Sequence, residues 1–162
     1  MSSAASGRSE AARRRRMVVA VKESLRELRN QLSLLNHQVG ARLDLRDVDL
    51  DCLELIAGHG PLSPSALARR AGLHPATVTG IVDRLERGGW VDRERDSVDR
   101  RAVMVRARRD RSAELFGLYS GMNASIDDIC AGYSEAELEL VTDFLRRTSS
   151  AGGDAAQALP TA

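Results

Sequence analysis

The sequence predicts a mainly α-helical fold with one small β-hairpin, in which short central helices are framed by long helices at both ends. Three observations predict it. Apolar residues recur at three- and four-residue steps toward both termini. Between residues 45 and 110, glycine and proline cut the chain into short pieces. Two short extended runs with a polar stretch between them close that central segment. The chain has 162 residues, enough for one domain with a real core, and with 3% aromatic content that core must be aliphatic.

Residues 1–16 are rich in Ser, Ala and Gly and end in the run Arg13, Arg14, Arg15, Arg16. They are expected to be a disordered basic arm, and residues 149–162, which lack any apolar period, a disordered tail. The folded domain is expected over 17–148. Val18, Val21, Leu25, Leu28, Leu32, Leu35 and Val39 form a coiled-coil-like seam, so a long amphipathic helix occupies 17–43. Asp47 to Gly58 reads as a helix with Val48, Cys52, Leu55 and Ile56 apolar, and Gly60-Pro61 breaks the chain after it. Ser63 then caps a helix with Pro64 at its first position and Gly72 at its end; Pro75 starts the next, which runs to about Arg87 before Gly88-Gly89. Trp90 to Arg95 and Ala102 to Ala107 are the two strands, joined by the loop 96–101. Residues 112–148 hold a helix from about Ser112 to Tyr133, with Leu115, Leu118, Met122, Ile126 and Ile129 on one face. A capping box, Ser134 with Glu137, opens a further helix to Arg147.

The net charge of +1 conceals an uneven distribution. Residues 60–111 hold 12 arginines against 7 acidic groups, whereas residues 112–162 hold 2 basic and 8 acidic. A cationic centre built wholly of arginine suits phosphate and guanine contact. The two helices around Gly72 meet the demands of a helix-turn-helix. Leu67 and Ala68 face inward on the first, Leu73 plugs the turn, and Val78, Ile81, Val82 and Leu85 form a buried stripe on the second. Off that stripe lie Pro75, Ala76, Thr77, Thr79, Gly80 and Arg84, small or hydroxylated toward the N-terminus, as close approach to base edges in a major groove requires. With the hairpin as a wing, residues 45–110 read as a winged helix-turn-helix, and double-stranded DNA is the expected partner. A winged helix serving only as a dimerisation or protein-docking surface is the competing reading.

Other classes find no footing. No apolar run approaches a membrane span and no signal-peptide pattern is present, so the expected location is the cytoplasm. Cys52 and Cys130 lack metal or disulfide spacing and are expected to be buried reduced thiols; His37, His59 and His74 show no ligand spacing. There is no G-x-S-x-G, HExxH or phosphate loop, so neither an enzyme nor a cofactor is expected.

From Val18 to Arg147 the sequence resembles the MarR-type transcriptional regulators. The likeness is sharpest in HPATVTGIVDRLERGGWVDRERDSVDRRAVMV, His74 to Val105, with its T-V-T, D-R-L-E, Gly-Gly-aromatic and D-x-R elements. The resemblance implies a homodimer whose terminal helices, 17–43 and 112–148, interlock, with a recognition helix in each major groove and a wing in the flanking minor groove. It implies that Thr77, Thr79 and Arg84 contact bases or phosphates, and that Arg101 enters the minor groove beside Arg100, with Asp99 supporting the wing. It also implies a small-molecule effector, often aromatic or anionic, bound between the dimerisation helices and the winged domain. The Arg13 to Arg16 arm would add phosphate contacts. Two places depart from the usual pattern. Leu45-Arg46 with Asp49 replaces Leu-Thr-x-x-Gln, and Arg106-Ala107 with Asp110 replaces the Leu-Thr and Gly that normally follow the second wing strand.

Overall fold

The computed structural model describes residues 2–95 and 102–159, with side chains from Ser9 onward. Among the described residues, seven helices and two strands follow in the order α1 (Ser2–Leu43), α2 (Asp47–His59), α3 (Pro64–Ala71), α4 (Pro75–Arg87), β1 (Val91–Arg95), β2 (Val103–Ala107), α5 (Arg109–Leu118), α6 (Ser120–Cys130) and α7 (Glu135–Gln157). The mainly helical class with a single hairpin is thus the one the sequence predicts. The chain forms two compact units, the first ending at Leu115 and the second beginning at Phe116.

The core of the first unit is aliphatic. Leu50, Leu53 and Ile56 of α2, Leu67 of α3, and Val78, Ile81, Val82 and Leu85 of α4 are sealed from solvent together with Val91 and Val105 of the hairpin. Burying each of these side chains is worth roughly 1.5–3 kcal/mol, so their spacing on three short helices is enough to dock them as one layer. β1 and β2 pair antiparallel with Val91 opposite Ala107 and Arg95 opposite Val103. The hairpin is tied down by Leu62, which donates to Val105 O at 3.0 Å and accepts from Val105 N at 2.8 Å.

The predicted stops and starts are in place. Ser63 Oγ accepts from the Ala66 N–H at 3.2 Å. Gly72 lies at φ 64°, ψ 30°, a left-handed conformation that costs a Cβ-bearing residue about 1–2 kcal/mol. Between α1 and α2 the chain turns sharply, with the Leu45 N–H on Gly40 O at 2.8 Å; a Cβ on Gly40 would stand 3.0 Å from Leu45 O, so glycine permits this approach.

The boundaries of the outer helices differ from expectation. α1 reaches back to Ser2 and α7 forward to Gln157, through the segments 1–16 and 149–162 expected to be disordered. Missing apolar periodicity means only that no face is packed: residues 9–16 are exposed throughout, and their Ala, Glu and Arg are strong helix formers. The single helix expected from Ser112 to Tyr133 is two. Its start moves to Arg109, and it breaks at Tyr119, whose N–H bonds Phe116 O three positions back, while Ser120 Oγ donates to Gly117 O at 2.7 Å and so competes for a helical carbonyl. The capping box that opens α7 is present, with the Ser134 N–H on Glu137 Oε2 at 2.8 Å, and this bond holds the Glu137 carboxyl below its usual range.

Candidate nucleic-acid interface

α4 divides lengthwise. Val78, Ile81, Val82 and Leu85 are fully buried, whereas Pro75, Ala76, Thr77 and Thr79 are exposed and Gly80 is half-buried. The free surface therefore lies at the N-terminal half, which opens with Pro75 at the first position and His74 as cap, its Nδ1 accepting from the Ala76 N–H at 3.3 Å. Thr79 Oγ1 donates to Pro75 O at 3.1 Å, which orients its oxygen to accept and turns its methyl to a fixed side. Five of the six residues expected to read DNA from this helix thus share one accessible stretch.

The sixth, Arg84, is placed differently. Its Nε and Nη2 donate to Asp49 of α2 at 2.8 and 2.6 Å, a bidentate bond to a carboxylate only 3% exposed. This bond raises the guanidinium above its ordinary value. Arg84 is thereby held in an internal clamp, because a carboxylate withdrawn from water demands a cation. Sequence reasoning passed over Asp49 except as a departure from pattern. Its signal was a carboxylate in a core slot, three, four and seven positions before the buried Cys52, Leu53 and Ile56.

A second clamp was also missed. Arg93 of β1 donates to Asp83 and, at 2.5 Å, to Glu86, which joins the hairpin to α4; the Asp83 bond raises the arginine above its ordinary value. The wing candidates Asp99, Arg100 and Arg101 lie outside the described residues. Arg13, Arg14, Arg15 and Arg16 are exposed on α1, where consecutive positions turn by about 100° and their guanidinia fan around the helix.

Beside the clamp a cavity of about 600 Å³ is lined by Arg46, Asp49, Arg84, Trp90 and Arg111 among others. Arg111 stacks on Trp90 at 3.7 Å and donates to Glu114 at 2.5 Å, while its buried Nε has no partner. Cys52 is buried as expected and Cys130 only half-buried; burial pushes the Cys52 thiol up to about 11. Among the described residues no His, Cys, Asp and Glu side chains group as a metal site, and no helix is long and apolar enough to cross a membrane.

Comparison with known proteins gives a consistent result. Residues 45–103 match the MarR family. The chain is 34% identical over 118 residues to the HTH-type transcriptional regulator YcgE of Bacillus subtilis, covering 72% of this chain and 77% of that one. It is 31% identical over 84 residues to the HTH-type transcriptional repressor YetL of the same organism, a match spanning half of each protein (52% and 50%). Among solved structures, a MarR family protein from Bacillus stearothermophilus superposes with a TM-score of 0.64 at 21% identity, over 83% of this chain and 94% of that one.

Proposed function

Because the chain belongs to the MarR family, whose members matched here are helix-turn-helix transcriptional regulators and not enzymes, we propose that it is a homodimeric repressor of a pseudo-palindromic operator, acting in the cytoplasm. The observation that carries this reading is the exposed N-terminal half of α4, Pro75 to Gly80, standing on a buried stripe with a hairpin pinned alongside. Such a surface fits a major groove. Thr77 and Thr79 contact bases, Pro75, Ala76 and Gly80 allow the close approach, and Arg100 and Arg101 with Asp99 carry the wing into the minor groove. The Arg13 to Arg16 stretch adds phosphate contacts from α1.

Uncovered apolar surface supports the dimer. Val18, Val21 and Leu28 of the α1 seam are exposed, as are Ile126, Ile129, Leu140, Val141 and Phe144 of α6 and α7. Helices with an apolar stripe open to water are stable chiefly when another chain covers it. The name of YetL supports repression over activation. A small anionic effector entering the cavity beside Arg46 and Arg111 would release DNA by favouring a recognition-helix spacing that does not fit it.

Selection from random duplexes with the purified protein tests the reading. The expected outcome is an enriched inverted repeat with half-sites about 34–36 Å apart, bound by one dimer. Retention of duplexes without sequence enrichment, even at low salt, would contradict it.

A further inference from the structure

Arg84 has the charge and the helix to be a phosphate or base contact, yet its surroundings commit it elsewhere. Two of its nitrogens are bound to Asp49. The third lies back along its own helix, since a Cβ added at Gly80 would stand 3.6 Å from Arg84 Nη1. Swinging the guanidinium out to DNA would strand a carboxylate that is 3% exposed, at a cost larger than an exposed phosphate contact returns. The bond spans 35 positions of sequence and joins the last turns of α4 to the first turn of α2. Arg93 grips the opposite side of the helix through Asp83 and Glu86. The helix is therefore held on two flanks by charge, in addition to its apolar stripe.

We propose that Asp49 is a positioning residue for DNA recognition: through Arg84 it fixes the angle of α4 against α2, and Arg84 serves operator binding by that contact and not by touching DNA. This rests on the regulator reading above. Hydrophobic packing is non-directional and leaves a short helix free to roll by small angles, whereas a bidentate fork fixes orientation. Base readout tolerates displacements of only about 0.5 Å or 10–20° in a binding constellation, so the loss of the fork should fall on specific binding alone.

The test compares the unaltered protein with Asp49→Ala, Arg84→Met and the double variant, each confirmed folded and dimeric. Dissociation constants are measured for a selected operator and for a scrambled duplex of equal length, across a salt series. The proposal expects each single variant to bind operator about tenfold more weakly and the scrambled duplex within about twofold of the unaltered protein. The double variant should lose no more than either single one, and the dependence of log Kd on log salt should keep its slope. If Asp49→Ala does not fold, Asp49→Asn, which keeps the shape and one acceptor oxygen, takes its place, with a smaller loss of the same selectivity. Operator affinity within twofold for a folded Asp49 variant would overturn the proposal by reducing the bond to a stability element. A slope lowered by about one in Arg84→Met, with both duplexes weakened, would overturn it by showing a phosphate contact. Should the unaltered protein select no sequence, the regulator reading fails before any substitution is made, and the proposal falls with it.

Discussion

At Cys52 the environment decides the chemistry. The side chain is wholly buried, and desolvation first, then Asp51 and Asp49, push its thiol up to about 11. Thiolate is the reactive form, so native protein at pH 8 should let an alkylating reagent take the half-buried Cys130 while Cys52 reacts only on unfolding; mass spectrometry of the timed reaction checks this. The linkage has a definite sign. A thiol whose folded pKa lies above its unfolded value near 9.0 adds stability that is fully present below pH 9 and is lost as pH rises through about 11. Rapid modification of Cys52 in the folded protein would contradict the burial. Asp49, one turn earlier, shows what single residues hide. Its partner is 35 positions away, and an Asp among apolar residues reads as surface unless its place in the helical period is noticed.

Elements announce themselves where local chemistry sets them. Ser63, Pro64, Gly72, Pro75 and the Ser134 and Glu137 box gave the ends of α3, α4 and the start of α7 because caps act within one turn. Replacing Ser63 by Ala should therefore cost about 1 kcal/mol, and Gly72 by Ala about 1–2 kcal/mol, read as lower midpoints in urea with unchanged slopes. A neutral result for Gly72→Ala would mean that the turn has an alternative conformation. What remained illegible was what depends on distant partners or on none. The bridge between Leu62 and Val105 and the bond of Arg84 to Asp49 join segments far apart in sequence. Residues 9–16 of α1 and 149–157 of α7 are exposed, so periodicity could not report them.

For the whole molecule, charge and apolar surface assign different work to different parts of the chain. The arginine-rich residues 60–111 include the helix-turn-helix and both strands, and the acidic residues 112–162 hold helices whose apolar side chains are left open. If those surfaces and the α1 seam meet a second copy, Val21→Glu and Phe144→Glu should each raise the dimer dissociation constant by at least about tenfold, seen by sedimentation across a concentration series, because a buried unpaired charge costs several kcal/mol. Dimerisation unaffected by either change would place the interface elsewhere. In the proposed complex the N-terminal half of α4 reads bases. Repeating the selection from random duplexes with Thr77→Ala and Thr79→Ala beside the unaltered protein tests this. All three proteins should select the same inverted repeat and spacing, with preference relaxed by about 1 kcal/mol at a few symmetric positions in each variant. Identical base preferences in all three proteins would contradict it and move sequence reading away from this helix.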